Sequence, residues 1–332
     1  MSYGRFLLKR SLQGILVVWG VVSIVFMLRF ITPGSAVDAV APLDASPELR
    51  ARIAAELGLD QPLYVQYLDY IWELLHGDMG YSYISGIEAS TMVFSKLPAT
   101  IELAVASSII AIGLSIPLGV ISATRRHEPA DYAATTFSLV GISTPNFWLG
   151  IMLILLLSVQ FGIFPTSGRA FGFVEAFSIA ANQGLGAGAD AFYQWLRYIT
   201  LPAVTLGTYF TALITRLTRS GMLEELGQSY VRATRAKGLP ESLVRYKHAL
   251  RNTLIPVITV LGLQLGTLIG GAVITESVFS WPGLGTTLIN AINARDWPIL
   301  QATLVVIGTG FVIVNLVVDA VYAYLDPQVV AE

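Results

Sequence analysis

Six windows along the 332-residue chain are apolar over about the length of a bilayer crossing, which takes around 20 helical residues. They run Ser11 to Ile31, Ala99 to Ala123, Tyr132 to Gln160, Leu201 to Leu217, Thr253 to Phe279 and Leu300 to Leu325. The pattern predicts an all-α, polytopic membrane protein with six transmembrane helices. Met1 to Arg10, Thr124 to Asp131, Arg216 to Asn252 and the tail after Leu325 are short, yet hold thirteen of the 20 Lys and Arg residues. The positive-inside rule puts these segments, and with them both termini, in the cytoplasm. The first window, followed by SAVDAVA, has features of a removable leader. At about 20 residues it exceeds the usual 7 to 15 of such a leader, so a retained first span is expected, with cleavage near Ala41 as the competing reading.

The polar stretches divide the chain into three parts: 1–31, a tail and first helix; 32–98, an extracytoplasmic helical insertion; and 99–332, the remaining spans with a cytoplasmic loop at about 216–252. Within the insertion, SPELRARIAAELG predicts a helix. Ser46 is placed to cap it, Pro47 suits its first turn, Leu49, Ile53 and Leu57 align, and Gly58 ends it. A second helix is predicted after Pro62, with Leu68, Trp72 and Leu75 as its apolar stripe and Gly77 as its end. Such helices suit a membrane surface, a cap on the bundle or a partner. The second outer segment, Phe161 to Thr200, contains NQGLGAGAD, whose glycines predict a mobile loop.

Composition agrees with a membrane protein: 54% of residues are hydrophobic and 13% charged, against about 25% charged in soluble domains. A net charge of -2 gives no field for nucleic acid. Without cysteine there are no disulfides, thiolate metal sites or cysteine nucleophiles. Neither GxxxxGK[ST] nor HExxH occurs, so no P-loop or zinc-protease site is expected. His76, His127 and His248 are scattered and suggest no metal cluster.

Polar and small residues inside spans are candidates for helix packing or a translocation path. In GISTPNFWLG, Pro145 predicts a kink, with Ser143 and Asn146 near the freed backbone groups. Gly262, Gly266 and Gly270 recur every four residues and predict close helix contact. Gln264, Glu276, Asn315 and Asp319 complete this set, while Glu102 is expected at the outer interface.

The basic strip from Leu223 to Leu250 is the most informative segment. Leu223, Leu226, Tyr230 and Ala233 are helically spaced, and Arg232, Arg235 and Lys237 crowd the end where the helix dipole favours cations. Gly238 then stops the helix, and Pro240 suits the first turn of another with Leu243, Tyr246 and Leu250 on one face. The expectation is a knob of two short helices projecting into the cytoplasm. A purely topogenic loop needs no such caps, and a DNA-binding helix-turn-helix conflicts with both ends being pinned to the membrane. Docking into a groove on a soluble protein fits the capped helices best.

At these residues the chain resembles the permease subunits of ATP-binding-cassette importers, in the dipeptide, oligopeptide and nickel branch, as the first of the two permeases. YVRATRAKGLPESLVRYKHALRNTLIPVIT looks like that family's cytoplasmic coupling loop, although Arg232, Ala233 and Thr234 replace the Glu-Ala-Ala start of the wider importer signature. GLDQPLYVQY, GDMGYS, LPATIELA, ISTPNFWLG, FGIFPTSG, ITESVFSWPGLG and VDAVYAYLDP follow the same branch in order. Arg169 to Gln194 is the weakest stretch.

The resemblance implies a non-catalytic subunit in the cell membrane of a bacterium or archaeon, within the lipid bilayer. Its partners would be a related second permease, two ATPase subunits and an extracytoplasmic solute-binding protein, but no nucleic acid. ATP and Mg would sit on the ATPases, with no cofactor or metal in this chain. Tyr230, Arg232, Arg235, Lys237, Gly238 and Leu239 would contact the ATPase, with Leu243 and Tyr246 anchoring the knob. Outside, the element Ser280 to Pro298 would meet the binding protein or gate release through Trp281, Pro282, Leu284, Asn290, Arg295 and Asp296. The cargo is expected to be a di- or oligopeptide. The rival reading is a stand-alone secondary transporter or channel, for which the spans offer few carboxylates.

Overall fold

A computed structural model describes residues 3–31, 37, 40–42 and 44–325. The side chains at 265, 267, 269–271, 322, 324 and 325 are outside that description. Among the described residues the chain is helical, apart from an isolated antiparallel bridge between Tyr81 and Glu88.

The helices are α1 (Tyr3–Ile31), α2 (Pro47–Glu56), α3 (Leu63–Leu75), α4 (Ala89–Thr124), α5 (Pro129–Ser143) and α6 (Asn146–Leu153), the last continuing as a π-helical stretch, π1 (Ile154–Gln160). Then come α7 (Phe173–Gln183), α8 (Leu185–Gly227), α9 (Ser229–Ala236), a second π-helical stretch, π2 (Leu243–Ala249), α10 (Leu250–Val278), α11 (Leu284–Ala294) and α12 (Trp297–Leu325). The helices α1, α4, α8 and α12 are each long and apolar enough to cross a membrane, and α5 with α6–π1 makes a fifth if that bent pair is one span. The fifth predicted window, Thr253 to Phe279, lies almost wholly in the 29-residue α10.

The mast of the bundle is α8. Its most apolar window is 67% buried, against 17% in α1 and 11% in α12, so α8 is the centre and the other two lie outside. Its 43 residues rise about 64 Å, roughly twice a hydrocarbon core. The predicted span Leu201 to Leu217 is therefore only its middle. NQGLGAGAD, expected as a mobile loop, instead closes α7 at Gln183, turns at Gly184 and opens α8. The reason is close packing: a Cβ on Gly188 would lie 2.2 Å from the Ala180 Cβ, so the glycine lets α7 lie against α8.

The bundle centre is made of Leu103, Leu206, Ile214, Val257 and Leu268 from α4, α8 and α10, with Trp281 at its outer edge. Gly262 and Gly266 meet α12 as expected: a Cβ on Gly262 would overlap Val318 Cγ1 at 2.0 Å, and one on Gly266 would be 2.8 Å from Asn315 Nδ2. Gly270 lies outside the described side chains. The predicted kink at Pro145 is a full break, with α5 and α6 bent by 109°. Thr144, the residue before the proline, is extended (ψ 123°), the conformation that a following proline imposes, and its hydroxyl returns to the Val140 carbonyl at 2.7 Å.

The two helices predicted in the insertion form as expected. Ser46 Oγ accepts from Leu49 N at 3.2 Å to cap α2, and Gly58 (φ +65°) follows its end.

Candidate functional site

At the C-terminal end of α8, only Gln228 separates that helix from α9. Helix α9 then ends in a complete Schellman turn: Gly238 N donates to Arg235 O at 2.9 Å and Leu239 N to Thr234 O at 3.4 Å. Gly238 adopts φ +76° there, a region that glycine enters without penalty.

The expected second short helix is not separate. After Pro240 the chain enters π2, which passes without a break into α10. The seven residues of π2 and the 29 of α10 therefore make one rod about 54 Å long. The knob is one short helix leaning on the foot of that rod. Its anchors also differ from expectation: Leu243 and Tyr246 are 43% and 60% exposed, whereas Val231 and Val244 are wholly buried. The π-helical winding of 243–249 departs from the α-helical spacing that had aligned Leu243, Tyr246 and Leu250.

Polar contacts brace the knob. Glu225 accepts from the Tyr230 hydroxyl through a short hydrogen bond, and Asn252 Nδ2, on α10, donates to that same hydroxyl at 2.9 Å. Burial, then the bond to Glu225, raises the Tyr230 hydroxyl above its ordinary pKa. Glu241 accepts from Arg235 Nη2 at 2.9 Å and from Arg245 Nε at 3.2 Å. The Arg235 hydrogen bond is the main cause holding Glu241 below the usual carboxylate range. Arg232, Arg235, Lys237 and Gly238 are exposed and Leu239 is half-buried, so these predicted contact residues share one tip.

On α8, before the tip, a half-buried arginine pairs with a buried acid, a contact the sequence does not announce. Asp131, only 3% exposed, takes Arg219 Nε at 2.7 Å and Nη2 at 2.9 Å, Ser122 Oγ at 2.6 Å and the His127 amide at 3.0 Å. It clamps the turn between α4 and α5 onto α8, eight residues before α8 ends. Two acids, Glu128 and Asp131, close to two arginines carried no signal for this; only the packing of α5 on α8 brings the pair together.

The opposite end of the rod finishes in a second constellation. The carboxylate of Glu276, fully buried, accepts from Thr100 Oγ1 at 2.6 Å, Gly285 N at 2.7 Å and Thr286 N at 3.2 Å. Thr100 Oγ1 in turn accepts from Leu284 N at 2.8 Å. Three of the unpaired N–H groups that every helix N-terminus leaves open are thus satisfied in α11 from α10 and α4. Trp281 Nε1 donates to Ala99 O at 2.8 Å in the same corner. Gly283 and Gly285 make the seat possible, since a Cβ on either would come within 2.4 Å of Glu276 or Val273 atoms.

The outer residues assigned to a binding-protein contact or gate therefore separate. Trp281 and Leu284 are wholly buried, and Asp296 is nearly so, accepting from Ser82 Oγ and from Tyr83 N at 3.2 Å. These three are internal because they tie α11 to α4 and the insertion; Asn290 and Arg295 remain exposed and Pro282 half-buried. Of the residues assigned to a path, Glu276 is consumed as a cap, and Asn315 Nδ2 returns to Phe311 O at 2.8 Å. Gln264 is half-buried, Ser143 is exposed at the break, and Asn146 is half-buried at the start of α6. Glu102, expected merely at an interface, pairs with Arg169 at 2.9 Å and accepts from Phe173 N at 2.8 Å, seating the start of α7.

A family model for the inner membrane component of binding-protein-dependent transport systems matches residues 115–331. A companion model for the N-terminal part of such membrane components matches residues 3–104. The dipeptide transport system permease protein DppB of Escherichia coli K12 is 42% identical over 334 residues, 98% of each chain. The di/tripeptide transport system permease protein DppB of Pseudomonas aeruginosa is 40% identical over 94% of each chain. The oligopeptide transport system permease protein AppB of Bacillus subtilis is 37% identical over 98% of each chain.

Proposed function

The chain belongs to the inner membrane components of binding-protein-dependent transport systems, and from this we propose that it is one of two permease subunits in an ATP-driven importer of di- or oligopeptides. The peptide cargo rests on the similarity to peptide permeases over nearly the whole chain. The bundle would cross the bacterial or archaeal cell membrane six times, with α10 as the additional span and both termini in the cytoplasm. A related permease would complete the pathway, two ATPase subunits would carry ATP and Mg, and a solute-binding protein would deliver cargo outside.

The observation that carries the mechanism is the continuous rod from π2 through α10. One end bears the braced cytoplasmic tip, and the other caps α11 through Glu276. Closure of the ATPases on ATP would push the tip, and a rod of packed helix transmits that displacement to the outer corner as a rigid-body movement. A flexible loop would absorb it. The exposed Arg232, Arg235 and Lys237, with the half-buried Leu239, would meet the ATPase, and Asn290 and Arg295 would face the binding protein.

The test is uptake of labelled dipeptides into proteoliposomes. Uptake is expected only when both permeases, the ATPases, ATP and the binding protein are present. Uptake by this chain alone would establish the stand-alone transporter or channel instead.

A further inference from the structure

Helix α3 carries three distinct faces. On one, Tyr67, Tyr70, Ile71 and Leu74 pack on α1: Tyr67 shares a hydrogen bond with Ser23 at 2.7 Å, the Phe26 ring meets Tyr67 and Tyr70, and Ile71 and Leu74 join Val22 and Val25. On the second, Gln66, Asp69 and Glu73 line a cavity of about 350 Å³ together with Arg29, Glu56 and Asp78. The third is apolar and uncovered: Leu68, Trp72 and Leu75 are 61%, 65% and 77% exposed, with Tyr64 beside them.

The level of α3 on α1 says what covers that third face. Helix α1 is long and apolar enough to cross a membrane, and Arg29, near its C-terminal end, lines the polar cavity. The α1 residues that α3 touches, Val22 to Phe26, lie about 5 to 10 Å inward of Arg29 along the helix. That is the depth at which an amphipathic helix rests at the boundary of headgroups and acyl chains. Large uncovered side chains at that depth have acyl chains beside them, and Trp and Tyr are the residues that favour the level. In water the same face would leave these large apolar side chains unburied.

We propose that α3 lies in the outer leaflet of the bilayer, with Leu68, Trp72 and Leu75 in contact with lipid and Asp69 and Glu73 turned to the aqueous cavity. The insertion is then fixed to the membrane at α3, so that its remaining parts are held at a set height over the outer corner. This placement goes beyond the importer reading and does not depend on the cargo.

Because the chain contains no cysteine, a single introduced thiol reports one position. Trp72→Cys, Leu68→Cys and Asp69→Cys, each in the full-length chain and labelled with an environment-sensitive dye, are placed in phosphatidylethanolamine–phosphatidylglycerol nanodiscs. Some discs carry lipid with a nitroxide near the headgroup end of the acyl chain, and iodide serves as the aqueous quencher. The expected result is strong lipid quenching with little iodide quenching at 68 and 72, and the reverse at 69. Iodide quenching at 68 and 72 equal to that at 69 would overturn the proposal. So would shielding of 68 and 72 that arises only when the binding protein or the second permease is added, which would assign the face to a protein.

Discussion

Replacing Glu276 by Ala tests the outer corner most sharply. The carboxylate is fully buried and accepts from two backbone amides of α11 and the hydroxyl of Thr100. Truncation leaves three buried donors without an acceptor, at about 1–3 kcal/mol each before relaxation. The Thr100 hydroxyl rotates to another partner, so the two backbone amides set the cost, about 2–6 kcal/mol together. For a chain of this size the loss corresponds to a fall on the order of 5–10 °C in the midpoint, read by tryptophan fluorescence in nanodiscs at one scan rate. Thr100→Val removes the donor to Glu276 and the acceptor for Leu284 N together. The double variant should therefore be less destabilised than the sum, with a coupling of about 1 kcal/mol or more. A midpoint for Glu276→Ala within about 1 °C of the parent, or simple additivity with Thr100→Val, would refute the argument that the carboxylate caps α11.

Three further substitutions probe the tip, the clamp on α8 and the rod. Nothing lies within 4 Å of a Cβ at Gly238, so Gly238→Val acts through its φ of +76° alone at about 1–2 kcal/mol; peptide uptake per ATP hydrolysed should fall while membrane insertion is unchanged, and normal uptake would count against a rigid tip. Arg219→Ala leaves the buried Asp131 without its cation and should cost about 3 kcal/mol, visible as faster amide exchange across the turn between α4 and α5; unchanged exchange would show that the clamp is dispensable. Gly262→Leu forces a side chain into Val318 on α12 and should destabilise by about 1–3 kcal/mol, with Val318→Ala restoring part of the loss in a thermal melt.

How far the sequence went depends on how local each signal was. Helix α2 was readable to the residue, because Ser46, Pro47 and Gly58 act on their immediate neighbours. The Gly262 and Gly266 contact was readable too, since small residues four apart leave little besides close packing. The length of α8 was hidden: Gly186, Gly188, Gly227 and the internal Pro202 are poor helix formers, and charged residues such as Arg197 and Arg219 fall outside the apolar window, yet these stretches are helical because α7, α4 and α9 pack on them. Val244 is hidden from an α-helical wheel because its segment winds as a π-helix, and Val231, in α9, because a stripe continued from Leu223 and Leu226 runs across the break at Gln228. The pairs Asp131–Arg219 and Glu102–Arg169 span 88 and 67 residues, and no local pattern encodes which acid finds which base. Trp281 and Leu284 were read as surface because they sit in a Pro/Gly-bounded turn, whereas that turn is folded into the bundle on Thr100 and Ala99.

The tip formed by α9 and its Schellman turn would bear on an ATPase. Lys237→Cys supplies the sole thiol of this chain, at the exposed end of that tip. With the assembled transporter in native-like membranes, a short amine- and thiol-reactive cross-linker should join position 237 to an ATPase subunit. The yield should change when a non-hydrolysable ATP analogue closes the ATPase dimer. Failure of any ATPase to couple to position 237, in preparations where the complex is intact and transports peptide, would contradict the account.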